Sequence, residues 1–216
     1  VSGLAYKAYV VNGFDASKFG PSDDGFRSVR QKGSKAKFNQ PAGVVALNYV
    51  GQPGLIAGAS AYFGNSDQSG ANSILTGIYE GHVAATWKGL SVRALGAYST
   101  IANADDLNAA LGFTAPTDTV ASAMFGYYGE VGYDVMNLLD DATIKLTPFI
   151  RFSHLDTQAD VPAGKQANDA RGRKIVDAGV AIQPIGQLTF KADYQFTSFD
   201  DGSDDNRLNL GVGFIF

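Results

Sequence analysis

The chain has 216 residues, of which 21 are acidic and 17 basic, and its net charge is −4; 45% are hydrophobic and 18% charged, and none is Cys. The lack of Cys excludes a disulfide scaffold and a thiolate metal site, and the acidic balance argues against a nucleic-acid partner. No apolar run approaches the ~18 residues that a membrane helix requires, although charged content lies below the roughly 25% of a soluble domain.

Strand-length segments with period-two alternation recur along the chain. Residues 4–12, 43–50 and 55–65 come first, and their small side chains leave the facing ambiguous. In 76–88, Tyr79, Val83, Ala85 and Trp87 oppose Glu80, His82, Thr86 and Lys88. In 90–101, Leu90, Val92, Ala94 and Tyr98 oppose Ser91, Arg93 and Ser99. In 124–135, Phe125, Tyr127, Val131, Tyr133 and Val135 oppose Tyr128, Glu130 and Asp134. In 143–153, Ile144, Leu146, Ile150 and Phe152 oppose Lys145, Thr147 and Arg151.

Alternation is cleanest at the end. Val176, Ala178, Val180 and Ile182 oppose Asp177 and Gln183. Leu188, Phe190, Ala192, Tyr194 and Phe196 oppose Lys191, Asp193 and Gln195. Leu208, Leu210, Val212, Phe214 and Phe216 oppose Arg207 and Asn209. Ten strands are visible in all.

Short connections (51–54, 88–89, 136–142, 184–187) take turns with longer ones (13–42, 66–73, 102–121, 157–173, 200–205). A transmembrane barrel has this pattern, with short periplasmic turns and longer extracellular loops. If the last strand runs toward the periplasm, the first begins there, as an even-stranded barrel requires. The expected fold is therefore all-β, a single antiparallel transmembrane β-barrel domain spanning 1–216 in the bacterial outer membrane. In lipid such a sheet must close on itself. A Lys or Arg at the lipid midplane costs roughly 2–4 kcal/mol. Glu80, His82, Arg93, Glu130, Lys145, Arg151, Lys191 and Asp193 are therefore expected to line the lumen. They form either separated basic and acidic ladders or pairs between neighbouring strands. Trp87, Tyr133 and Phe216 would mark one interface, and Tyr98, Phe125, Tyr127, Phe152 and Phe196 the other.

The closing alternation up to Phe214 and Phe216 resembles the terminal strand of Gram-negative outer-membrane proteins, and it implies recognition by the barrel-assembly machinery. Further stretches resemble bacterial porins of the phosphate-selective or uncharacterised proteobacterial type. These are Thr147-Pro148-Phe149-Ile150-Arg151-Phe152, Asp156-Thr157-Gln158, Lys191-Ala192-Asp193-Tyr194-Gln195 and Leu208-Asn209-Leu210-Gly211-Val212-Gly213-Phe214. The stretch from Gly54-Leu55 through Ala61-Tyr62-Phe63-Gly64 resembles an earlier strand of the same group. The resemblance implies passive diffusion of small hydrophilic solutes, with a homotrimer as the assembly typical of the family. Such porins have more strands than ten, so the chain, which starts at Val1 without Met or leader, reads as the C-terminal part of a barrel of about 16 strands. A complete ten-stranded barrel is the alternative.

The loop over 13–42 is basic. Arg27, Arg30, Lys32, Lys35 and Lys37, with Lys18, outnumber Asp15, Asp23 and Asp24. Two readings stand: a constriction folded into the lumen that favours anions, or a solvated loop against lipopolysaccharide phosphates. Residues 105–112 read as a short capped helix ending at Gly112. The acidic run 200–205 lacks the spacing of a calcium loop and reads as a surface turn, so no metal and no cofactor is expected. His82 and His154 are the only histidines, His154 on the lipid-side parity near the outer rim. No Gly-x-Ser-x-Gly motif occurs, so no enzymatic activity is expected. The rival to a porin is a non-conducting barrel acting as adhesin, receptor or structural component.

Overall fold

A computed structural model describes residues 2–20 and 25–215; Phe216, with Asp23 and Asp24, lies outside the described residues. Ten strands follow in chain order: β1 (Leu4–Asn12), β2 (Pro41–Gln52), β3 (Leu55–Asn65), β4 (Leu75–Trp87), β5 (Leu90–Ile101), β6 (Ala123–Tyr133), β7 (Lys145–Asp160), β8 (Gly172–Ile185), β9 (Leu188–Phe199) and β10 (Arg207–Phe214). Each pairs antiparallel with the next, in one sheet whose spatial order equals sequence order. This is the meander of an antiparallel transmembrane β-barrel. Among the described residues β1 does not pair with β10, so the sheet is open and has two free edges.

The register sorts the side chains. Tyr6, Leu47, Ala59, Gly81, Gly96, Tyr127, His154 and Lys174 stand in one cross-strand row. Two residues along on β7, Phe152 meets Val176, and Val176 meets Phe196. Aliphatic and aromatic side chains dominate this face and are exposed, Tyr6 at 84% and Trp87 at 69%. A contiguous apolar surface of this extent needs an apolar solvent or partner. The other face is polar, and the sheet curls toward it, since residues from β4 through β9 line one common cavity there.

Register shifts fall only near strand ends, at Tyr49/Gln52, Ala123/Phe125 and Ile182/Ile185. Tight turns use residues with positive φ: Gly54 between β2 and β3, and Lys88-Gly89 between β4 and β5. A Cβ at Gly54 would also lie 2.5 Å from the Thr86 carbonyl oxygen, so only glycine fits there. At the other end the connections are long. Residues 102–122 contain α1 (Ala104–Ala110), which terminates at Gly112 with φ +74°. Asn103 precedes α1 in the left-handed region and makes no side-chain cap bond, so the expected cap is absent.

The buried apolar residues do not lie inside the sheet along its length. They gather at the long-loop end, where Phe19 and Val29 from the β1–β2 loop meet Ile74, Ile101, Leu107, Val120 and Met124.

Candidate functional site: the polar face of the sheet

The eight residues expected to line a lumen share the polar face. One row crosses six strands with nearly alternating charge: Arg93, Glu130, Arg151, Asp177, Gln195 and Arg207, on β5 to β10 in turn. The Arg151 guanidinium grips Glu130, with Nη2 at 2.8 Å and Nε donating at 3.0 Å to Oε2. Arg93 approaches the other Glu130 oxygen at 4.0 Å. Arg151 also lies over the Tyr128 ring, 4.5 Å from its centre. A planar guanidinium suits both contacts at once. In the same row Gln195 donates to Asp177 at 3.1 Å.

A second group lies toward β10. Lys191 reaches Asp193 at 3.2 Å and the Phe149 ring at 4.4 Å, while Asn209 donates to Asp193 at 2.9 Å. Gly179 makes this possible. A Cβ there would stand 2.4 Å from the Ala192 carbonyl oxygen and 2.5 Å from Asp193 Cβ. Across the sheet, His82 Nδ1 faces the Glu80 carboxylate at 3.0 Å, and Ser60 donates to the same carboxylate at 3.1 Å. Charges of opposite sign thus neighbour one another. Pairing between neighbours, and not two separated ladders, is the arrangement present.

The two ends of this face differ. At the short-turn end an open cavity of about 620 Å³ is lined by five cations, Lys88, Arg93, Lys145, Arg151 and Lys191, against two carboxylates, Glu130 and Asp134. Glu130 is already shared by two arginines. Asp134 accepts from the backbone N–H groups of Met136 and Leu146. The cavity is therefore net positive within a net-negative chain.

At the long-loop end the face is covered. Residues 13–20 and 25–40 fold over it: Phe14 stacks on Phe26 at 5.3 Å and leans on Tyr62 at 4.7 Å, and the Phe14 N–H donates to the Tyr62 hydroxyl at 3.2 Å. Tyr62 and Met124 both belong to the polar face by register, so the loop crosses from β1 to β6 above it. Gln68 ties the loop down by donating to the Phe14 and Gln40 carbonyls and accepting from the Gln40 N–H.

At the loop's start, burial pushes the Asp15 carboxyl up, but the Ser17 hydroxyl and the charges of Lys37 and Lys18 outweigh it, and its pKa is lowered. The Ser17 hydroxyl donates to Asp15 at 2.6 Å. Neighbouring loops are stitched by Asn108, which donates to the Ala104 and Val120 carbonyls and accepts from the Val120 N–H, and by Gln158, which donates to Thr119.

The basic residues of this loop are not its working core. Arg27, Arg30, Lys32, Lys35 and Lys37 are all exposed, and the aromatic residues make the contact with the sheet. Phe14, Phe26, Tyr62, Asn108 and Gln158 were missed by sequence reasoning. The available signal was four phenylalanines, Phe14, Phe19, Phe26 and Phe38, in a loop rich in polar residues; the first three pack inward, whereas Phe38 stays exposed. At the chain end, Phe214 lies on the exposed apolar face, beside Leu188 of β9. No group of three or more His, Cys, Asp or Glu side chains suited to a metal ion occurs among the described residues.

One polar and one apolar face on a long antiparallel meander define the class, a membrane β-barrel wall. No family model matches the chain. It is 26% identical over 220 residues to an uncharacterized protein of Aquifex aeolicus (strain VF5), a match covering 99% of this chain and 50% of that protein. The chain thus spans about half the length of the curated relative it matches. Among solved structures, it is similar to LpxR from Salmonella typhimurium, with 12% identity and a TM-score of 0.37 over 82% of this chain and 73% of that one. It is also similar to the ferric enterobactin receptor PfeA of Pseudomonas aeruginosa (G324V mutant), with 13% identity and a TM-score of 0.49 over 98% of this chain and 37% of the receptor. Both are outer-membrane β-barrel proteins. The expectation that the chain has no enzymatic activity is withdrawn, because a wall of this kind gives no ground for excluding one.

Proposed function

We propose that this chain forms wall strands of an outer-membrane porin that passes small hydrophilic solutes, anions preferred, along its polar face. The observation that carries the reading is the net-positive cavity at the short-turn end, set on a sheet whose opposite face is apolar. Field lines from Lys145, Lys191, Arg93 and Arg151 would concentrate anions at that end.

Extracellular placement of the long loops, and contact of the exposed loop cations with lipopolysaccharide, belong to the same proposal. So do assembly through the terminal strand and a homotrimeric state. The two free edges require further partners in lipid. Strands beyond these ten, approaching the 16–18 that leave an aqueous channel, would supply them.

The test is single-channel conductance in planar bilayers, with reversal potentials measured in a salt gradient. A stable current with anion preference, reduced by Lys145→Gln and Lys191→Gln together, is the expected result. Cation preference unchanged by those substitutions would sink the anion assignment.

A second reading has its own observation. The dry cluster of Phe14, Phe19, Phe26 and Val29 over the long-loop end favours a non-conducting receptor or structural barrel. Absence of current from the intact protein, with current appearing once residues 14–38 are shortened, would support it.

A further inference from the structure

The exterior face carries one row that breaks its apolar pattern. Gly81, Gly96, Tyr127, His154, Lys174 and Ser198 stand opposite one another in unbroken register across β4 to β9. Gly81 is central in β4, whereas Lys174 is the third residue of β8 and Ser198 the next to last of β9. The row thus runs from the middle of the apolar band to the long-loop end.

Its lower end is a groove. Gly81 and Gly96 form the floor of an open depression of about 390 Å³ walled by Tyr79, Tyr98, Phe125 and Tyr127. A Cβ on Gly96 would meet only Tyr127 Cβ, at 3.8 Å, and one on Gly81 only the Gly58 carbonyl, at 3.9 Å. The floor is bare, and a larger side chain could fill it without displacing the backbone.

The upper end is polar. The Tyr127 hydroxyl lies 3.2 Å from His154 Nδ1, and the His154 ring stands edge-on to Phe125 at 5.0 Å and to Tyr127 at 5.5 Å. Beside it, Lys174 Nζ is 3.5 Å from Asp200, with both groups well exposed. A cation on the lipid side of a barrel is costly near the midplane and tolerated only toward the interface.

We infer that this row binds a phosphorylated acyl lipid of the surrounding leaflet, with one acyl chain in the Gly81–Gly96 groove and the headgroup phosphate between Lys174 and His154. The inference rests on the membrane placement proposed above. An acyl chain alone would need only the groove. The ammonium, imidazole and phenol at its upper end add hydrogen-bond donors of the kind that charge-assisted contacts to phosphate use. Asp200 holds Lys174 while no lipid is bound and would compete with the phosphate.

The experiment uses the protein in maltoside micelles, with bound lipid counted by native mass spectrometry after addition of the phosphorylated glycolipid lipid A. Dephosphorylated lipid A and inorganic phosphate serve as separate probes. One retained lipid A is expected, with neither control retained. Lys174→Gln combined with His154→Ala should weaken retention about tenfold, the size of one lost charge-assisted contact. Gly96→Leu should abolish retention by filling the groove, and Asp200→Asn should strengthen it.

Equal retention by all variants, or equal retention of the dephosphorylated lipid, would overturn the site. Loss of retention through self-association of the chain on this face would overturn it too. Insertion into phosphatidylcholine vesicles is measured in parallel. A chain that inserts but shows no phosphate preference refutes this site alone, whereas one that inserts into no vesicle refutes the membrane reading beneath it.

Discussion

The two ends of the polar face are built on the same strands, with the same parity, and yet they are opposites. The short-turn end is open, wet and cationic, because its connections are too short to fold back over the sheet. The long-loop end is dry, because the β1–β2 connection and residues 102–122 are long enough to bring apolar side chains such as Phe14, Phe19, Phe26 and Leu107 over Tyr62, Ile101 and Met124. The difference teaches that strand alternation sets which side chains face inward. Loop length decides whether those side chains meet water.

The comparison can be broken most severely by removing the cover. Replacing residues 14–38 with a short Gly-Ser linker should raise single-channel conductance severalfold while the sign of the reversal potential stays the same. A changed ion preference would mean that the loop, and not the short-turn cavity, sets selectivity.

Next in size is the charge network beneath. Glu130→Gln leaves Arg93 and Arg151 without their shared carboxylate. It should cost about 2 kcal/mol, the scale of hydrogen bonds to charged groups, read as a lower urea midpoint. The same variant should increase anion preference, which a purely structural role for Glu130 would not do.

Asn108→Ala should cost about 1–2 kcal/mol, since it orphans the buried Val120 N–H. Faster hydrogen exchange should then appear in 104–121 and leave the sheet untouched.

The smallest effect is the acid response of the cover. Asp15 has a lowered pKa in the folded protein, so its contribution is complete above the unfolded value of about 3.9 and is lost as pH falls below it. Conductance should therefore be flat from neutral to weakly acid pH and rise only below about pH 4. Asp15→Asn should remove that pH dependence.

Much of the sheet was legible in the sequence because its signal is local. Alternating side chains placed Glu80, Arg93, Glu130, Arg151 and Lys191 on one face, and the register confirms that they share it. Strand ends were less legible. The apolar alternation of β7 stops near Ser153, yet pairing carries the strand to Asp160, and β8 begins at Gly172 because Arg173 and Lys174 pair with Leu155 and His154. The connection expected over 157–173 is correspondingly shorter. Those polar pairs carry no period-two signal, and only the partner strand holds them extended.

The sequence by itself determined the number of strands, the facing of the last seven and the alternation of long and short connections, since each depends on residues adjacent in the chain. Tertiary structure alone decided that Arg151 and Arg93 share Glu130, and that the basic loop meets the sheet through Phe14 and Phe26 while its cations stay exposed. It alone left β1 and β10 unpaired with each other among the described residues. All three turn on whether residues far apart in sequence meet, which depends on distance and burial that no local pattern encodes.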